Sequence, residues 1–286
     1  MYFIQKFSSF RIPTKRCSYQ GILNLCFLFM LVFFGNVHSF AQSKEKDLAC
    51  YNFISSSFEK QKKLIRWGLN YIFPDKISVE MQDSAGREMV EYYESGELLL
   101  DDKVKQNRLD RILDKLVRQL PDPLGFNYEI FISDEKYVNA WTLGGKILIT
   151  DSLLSFCRND DELACIISHE IMHNELGHIE LEMRDGDLIK MLFSSYSGKA
   201  EYILSFFRDP FLQEDEAYSD MYGIDLADAA GFNICSFKDF WERMDEEDGE
   251  DDDFFSRISS THPSSKSRSI CIANYISKNY KKGCIR

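Results

Sequence analysis

The chain has 286 residues, of which 44% are hydrophobic and 14% aromatic, enough for one sizeable core or two small ones. Its formal net charge is −12 at pH 7, which argues against a nucleic-acid partner, since such a surface needs a basic stripe. None of its eight cysteines forms a Cys-x-x-Cys pair, which argues against a thiolate zinc site or a thioredoxin-type motif.

The N-terminus reads as a targeting segment. Lys6, Arg11, Lys15 and Arg16 precede an apolar run from Ile22 to Phe34, and Ser39-Phe40-Ala41 supplies small residues for cleavage. A run of thirteen residues is short for a membrane span, so the pattern is that of a secretory signal cut after Ala41, with an uncleaved signal anchor as the alternative. Loss of 1–41 removes four bases and no acid, leaving 30 basic against 46 acidic residues, as suits an exported soluble body. Six cysteines would remain (Cys50, Cys157, Cys165, Cys235, Cys271 and Cys284), permitting disulfides in any of fifteen pairings. Residues 42–77 form an extension whose Leu64, Ile65, Trp67, Tyr71 and Phe73 pack on a core or lie at a membrane surface.

From Ser78 the pattern is helical. Ser78-Val79-Glu80 opens one helix, and Asp101 or Asp102 opens a second that runs through Leu109, Ile112, Leu113 and Leu116 to about Leu120, where Pro121-Asp122-Pro123 stops it. Residues 127–133 alternate as a strand. Residues 138–150 read as two short strands meeting at Gly144-Gly145, followed by a short helix capped by Asp151. A further helix begins near Gln213, carries Glu216, Asp220, Ile224 and Ala227 on one side, and stops at Gly231. Asp245 to Asp253 holds eight acids in nine residues in no EF-hand spacing, and reads as a solvated loop.

The chemistry lies in His169-Glu170-Ile171-Met172-His173. Asp160 and Asp161 supply a cap and first-turn acids, and Leu163, Ile166, Ile167 and Ile171 give a buried stripe, so the motif belongs on a helix. There, histidines four residues apart sit one turn apart on the same face and reach one ion, while Glu170, about 100° round the helix, reaches a water on it. A catalytic zinc takes three protein ligands and keeps a position open. For the third, a metzincin would need Gly at 176 and His at 179, where this chain has Leu176 and Ile179. His178 lies about 140° off the metal face of a continuous helix, and so makes a poor ligand. A carboxylate from the helix near Gln213 is the alternative: Glu216, with Asp220 one turn on to accept the outer N–H of a ligand histidine.

Together, His169-Glu-Ile-Met-His173, the following His178 and Glu216-Ala-Tyr-Ser-Asp220 resemble the gluzincin family containing HtpX, the CAAX prenyl endopeptidase and BepA-type periplasmic proteases. The resemblance makes Glu216 the implied ligand, in preference to Glu214, and Asp220 and His178 its supporting residues; Ser219 stands where the family usually has Ala. Asn139-Ala140-Trp141-Thr-Leu-Gly144-Gly145 resembles the family's N-A-F-A-x-x-G-G strand, implying an edge strand that binds an extended peptide through its main chain. Thr261-His262-Pro263 with Arg268 resembles T-H-P-x(4)-R, implying that His262 approaches the cleft, as a transition-state donor or a plug of the open position, with Arg268 behind it.

The expected fold is α+β, a mostly helical zincin-like domain over 78–286 with a small sheet whose edge borders the cleft. The expected activity is zinc-dependent cleavage of exported or membrane-associated proteins in envelope quality control, with Glu170 as acid/base and one zinc per chain. The competing function is a zinc-bound chaperone or assembly factor with little proteolysis; the intact Glu170 speaks for the protease. The segment 189–207, rich in Phe and Tyr, and the acidic run are candidates for shaping access to the cleft.

Overall fold

The computed structural model describes residues 76–185, 211–247, 262, 268–280 and 284, all of them within a unit spanning Asp47–Arg286. Expectations for 1–41, most of 42–77, 189–207, Thr261 and Pro263 lie outside the described residues.

Helix α1 (Val79–Ser95) is capped by Ser78, whose Oγ accepts from the Met81 amide, and buries Gln82, Ala85, Gly86, Met89, Val90 and Tyr93 at helical spacing. Helix α2 (Lys103–Val117) is capped by Asp102, which accepts from the amides of Val104 and Lys105, and buries Leu109, Ile112, Leu113 and Leu116. It ends at Val117, three residues before the expected Leu120, because the chain turns there ahead of the two prolines.

Three strands follow: β1 (Glu129–Ser133), β2 (Ala140–Leu143) and β3 (Lys146–Thr150), in the order β1-β3-β2, with β1 parallel and β2 antiparallel to β3. Leu143 pairs with Lys146 across a two-residue turn in which Gly144 and Gly145 have φ of 54° and 80°. Positive φ at both positions is what a tight hairpin demands, and only glycine adopts it cheaply. A Cβ on Gly144 would lie 1.9 Å from the Gln82 carbonyl oxygen, so the turn also has to be bare where α1 crosses it. Lys146 is buried, its Nζ donating to Asp83 Oδ1 at 2.8 Å and to the Asn127 carbonyl at 2.6 Å, which ties β3 to α1.

The sheet separates two apolar clusters. Ile147 and Ile149 face one, with α2 and the helices that carry the site; Leu148, Trp141 and Leu143 face the other, with α1. Thr150, not Asp151, caps α3 (Asp151–Phe156), and Asn159, not Asp160, caps α4 (Asp160–Glu175). In both places the residue one earlier has the extended backbone that lets its oxygen turn back on the helix, and the aspartates follow as first-turn acids. Helix α4 is buried on every side from Glu162 to Asn174, as befits the central helix of a domain.

Helix α5 (His178–Asp185) is separate from α4, because Gly177 at φ 74° ends the first helix and starts the second. Helices α6 (Gln213–Ala229), α7 (Cys235–Glu247) and α8 (Arg268–Tyr280) are the remaining helices among the described residues, with Gly231 at φ 83° just past α6. Asp245–Glu247 form the last turn of α7 and not a loop; the rest of the acidic run lies outside the described residues. Cys235 and Cys284 form a disulfide that ties α7 to the chain end, Cys271 is also disulfide-bonded, and Cys157 and Cys165 are buried free thiols.

Candidate metal and catalytic site

Two long helices, α4 and α6, pack along each other to build the site. Gly223 permits the contact: a Cβ there would meet the His169 amide nitrogen at 3.1 Å and its Cα at 3.2 Å, backbone atoms that cannot rotate aside. At that distance Glu216 and Asp220 of α6 face the histidines of α4.

His169 Nε2 lies 3.0 Å from His173 Nε2 and 3.4 Å from Glu216 Oε2, and Glu216 Oε1 lies 3.2 Å from His173 Nε2. Donors held about 2.0–2.1 Å from one tetrahedral ion stand about 3.3 Å from one another, so the three separations fit a zinc ion. His262 joins the group, Nδ1 at 3.0 Å from Glu216 Oε1, and ligand atoms of all four residues lie within 4.8 Å of one another. Two imidazole nitrogens and a carboxylate converging in a buried site, with no bulk water to screen them, make a donor set suited to a divalent cation. Glu214, the competing register, is not in the cluster.

Supporting residues fix the donors. His169 presents Nδ1 to Asp220 Oδ1 at 2.9 Å, which directs Nε2 at the cluster. Asp220 is in turn gripped by Arg268, whose Nε and Nη2 donate to Oδ2 and Oδ1 at 2.7 and 2.6 Å, while Nη1 stands 3.1 Å from Glu216 Oε2. The guanidinium lies 3.8 Å over the Trp241 ring, a stacked cation that a lysine would not reproduce. Burial pushes the Asp220 and Glu216 carboxyls upward, but Arg268 beside the first and His262 and Arg268 beside the second more than reverse this, holding both below the usual range.

Burial lowers both ligand imidazoles. At His169 the nearby Glu216 and Asp220 carboxylates overcome it and raise the group to about 9; at His173 burial prevails and the ring is held well below its ordinary value. Burial raises the carboxyl of Glu170, partly opposed by His262 and His169, and its Oε2 accepts no hydrogen bond. A buried carboxyl poised upward with a free acceptor oxygen suits proton transfer.

His178 is not a further residue of a continuous helix. The break at Gly177 returns it to the site, with Nδ1 3.3 Å from His173 Nδ1 and 3.2 Å from Ser219 Oγ. It lies behind His173 rather than in the cluster.

The expected edge-strand residues divide. Ala140 reaches the site: its carbonyl lies 3.3 Å from His262 Nε2, which is also 3.5 Å from Glu170 Oε1. The Asn139 backbone is used by Thr150, and Trp141 lies on the opposite face of the sheet, against Tyr93. Gly144 and Gly145 shape the hairpin, and the amide of Gly145 donates to Asn174 Oδ1 at 3.0 Å. Asn174 was not anticipated. Its Nδ2 donates to Thr142 Oγ1 at 2.8 Å and to the Glu170 carbonyl at 3.0 Å, so the residue after His173 joins the metal-bearing helix to the β2–β3 hairpin. A short amide side chain directly after the motif is its only signal in the sequence.

A mostly helical domain with a small mixed sheet beside a helix bearing His-Glu-x-x-His, and a glutamate from a second helix, is a zincin-like metallopeptidase domain. Residues 103–274 match peptidase family M48, and the chain belongs to that zinc-dependent family. It is 31% identical over 150 residues to mitochondrial metalloendopeptidase OMA1 of Schizosaccharomyces pombe, covering 49% of this chain and 44% of that protein. It is 30% identical over 156 residues to the Arabidopsis thaliana OMA1, covering 52% and 32%. It is 24% identical over 136 residues to the beta-barrel assembly-enhancing protease of Escherichia coli, covering 41% and 28%. The chain thus spans less than half the length of the relatives it matches.

Proposed function

We propose that this chain is a zinc metalloendopeptidase that cleaves extended polypeptides, with His169, His173 and Glu216 as the metal ligands and Glu170 as the acid/base. The observation that carries the reading is the convergence of His169, His173 and Glu216, all buried, on one point between α4 and α6, with the buried Glu170 3.5 Å from the His262 ring that joins them. A zinc ion held there supplies a water of lowered pKa, from about 15.7 towards ~7, and polarises the scissile carbonyl. Glu170 takes the proton of the attacking water at Oε2 and delivers it to the nitrogen of the leaving amine, a role worth roughly 10² to 10⁴ in rate. Asp220 and Arg268 hold the His169 ring in the tautomer that exposes Nε2, and His178 does the same for His173.

The substrate pairs with β2, an outer strand of the sheet, through main-chain hydrogen bonds that give affinity without sequence choice. His262 stands on the Ala140 carbonyl that such a strand would use, so it must yield when substrate binds. From that place it either closes the site or donates to the carbonyl oxygen under attack.

The substrates are exported or membrane-associated proteins, and the role is quality control in the cell envelope. Two features support this: disulfides at Cys235–Cys284 and Cys271, which persist in oxidising compartments, and the basic-apolar N-terminal pattern. Among the described residues no helix is long and apolar enough to cross a membrane. The test is Glu170→Gln in the purified protein. It should keep its zinc and lose digestion of unfolded casein by at least ~10²-fold, whereas digestion at the parent rate would end the assignment.

A further inference from the structure

Asn174, directly after the second histidine of the motif, is fully buried and gives its side-chain amide to three partners. Its Oδ1 accepts from the Gly145 amide at 3.0 Å, and its Nδ2 donates to Thr142 Oγ1 at 2.8 Å and to the Glu170 carbonyl at 3.0 Å. We propose that Asn174 is a positioning residue for the reaction: through Thr142 it fixes the peptide-pairing strand β2 at the height over Glu170 at which bound substrate reacts. The inference rests on the hydrolase reading above and deepens it, because it names the contact that aligns the substrate with the acid/base.

The alternation of the ladder makes Thr142 the place to hold. The Asn139 carbonyl accepts from the Thr150 amide at 3.0 Å, so residues 139, 141 and 143 turn their main-chain groups towards β3. The main-chain groups of Ala140 and Thr142 therefore point to the open edge of the sheet. His262 stands on the first of them, with Nε2 3.3 Å from the Ala140 carbonyl. An added strand would pair with Ala140 and Thr142, and Thr142 is the one whose side chain is tied to α4. Its hydroxyl is held from both sides, accepting from Asn174 and donating to the Lys146 carbonyl at 3.2 Å.

The amide has one orientation only. Turned over, it would set Nδ2 against the Gly145 N–H and Oδ1 against the Glu170 carbonyl, two repulsive contacts in a site closed to water. The other anchors of the hairpin run to α1: Lys146 bonds Asp83, and the bare Gly144 lies against the Gln82 carbonyl. Among the described residues, Asn174 is the side chain of α4 that hydrogen-bonds the hairpin. Without it β2 stays in the sheet through β3 and still pairs with a peptide, but its height over Glu170 is no longer set. A misplacement of about 1 Å costs roughly 10²-fold in rate.

The experiment measures turnover and binding of one peptide separately. Cleavage of a fluorogenic peptide of casein sequence by the zinc-loaded full chain gives kcat per bound zinc, so molecules without a formed site do not enter. Anisotropy of the same peptide on the zinc-loaded Glu170→Gln chain, with and without the second substitution, gives Kd. Asn174→Ala should lower kcat by at least ~10-fold and shift Kd by less than ~3-fold. Thr142→Val, which keeps the branched shape and loses the hydroxyl, should do the same, and Thr142→Ser should hold kcat within ~3-fold of the parent. Asn174→Ala combined with Thr142→Val should lose no more than the worse single variant, since both cut one contact. Parent kcat in Asn174→Ala or Thr142→Val, a Kd weakened as far as kcat, equal losses in Thr142→Ser and Thr142→Val, or additive losses in the double variant overturns the proposal and leaves the hydrolase reading intact. Absence of cleavage by the zinc-loaded parent overturns both.

Discussion

Replacing Arg268 with leucine isolates the support of the site from the ligands themselves. Arg268 and Asp220 are 2% and 0% exposed and joined by two hydrogen bonds of 2.7 and 2.6 Å, so the carboxylate depends on the guanidinium for most of its charge balance. Leucine leaves the Asp220 carboxylate buried without the guanidinium, and breaking a buried pair in this way costs about 3–5 kcal/mol. That is a large part of the ~5–15 kcal/mol expected of a whole domain. The freed Asp220 also loses its hold on His169 Nδ1, which should weaken zinc binding by roughly 10–100-fold. Guanidinium unfolding read by tryptophan fluorescence gives the first quantity, and zinc competition with a chromophoric chelator gives the second. Adding Asp220→Asn removes the stranded charge, so the double variant should be more stable than the sum of the single losses by 1 kcal/mol or more. A stability change under 1 kcal/mol for Arg268→Leu, or strict additivity in the double variant, would refute the argument.

Asn174→Ala strands the Gly145 amide and frees Thr142 from α4, costing about 1–3 kcal/mol in denaturant unfolding while zinc stoichiometry stays unchanged. Cys235→Ser with Cys284→Ser opens a cross-link of 49 residues' separation, and chain entropy puts the loss near 4 kcal/mol, to be checked by the shift in unfolding midpoint under non-reducing conditions. Gly223→Ala gains about 1 kcal/mol of helix propensity but forces α6 away from the His169 backbone. It should therefore weaken zinc affinity in the competition assay more than it alters stability.

The parts of the site that could be read from the sequence were those fixed by helical period. His169, Glu170 and His173 need only one helix to define their relation, and Glu216 with Asp220 repeat the same four-residue step on another. Which carboxylate of Gln213-Glu-Asp-Glu meets the histidines depends on the packing of α6 on α4, and the local pattern left both Glu214 and Glu216 open until the tail of that helix set the register. The helix caps at Thr150 and Asn159 were missed by one residue because aspartates that cap equally well stand next to them. A continuous helix would turn His178 away from the metal face; Gly177, visible in the sequence, is the break that carries it back behind His173. Asn174 bonds Gly145 and Thr142, 29 and 32 residues away, and no periodicity within α4 announces such contacts.

The central claim is that one divalent ion sits between α4 and α6, held by two imidazoles and a glutamate. Metal analysis of the purified chain, with Glu216→Ala and Glu214→Ala beside it, tests this directly. The account predicts one zinc per chain in the parent and in Glu214→Ala, and its loss or a severe weakening in Glu216→Ala. Zinc retained at parent affinity without Glu216, or lost on removing Glu214, would contradict it.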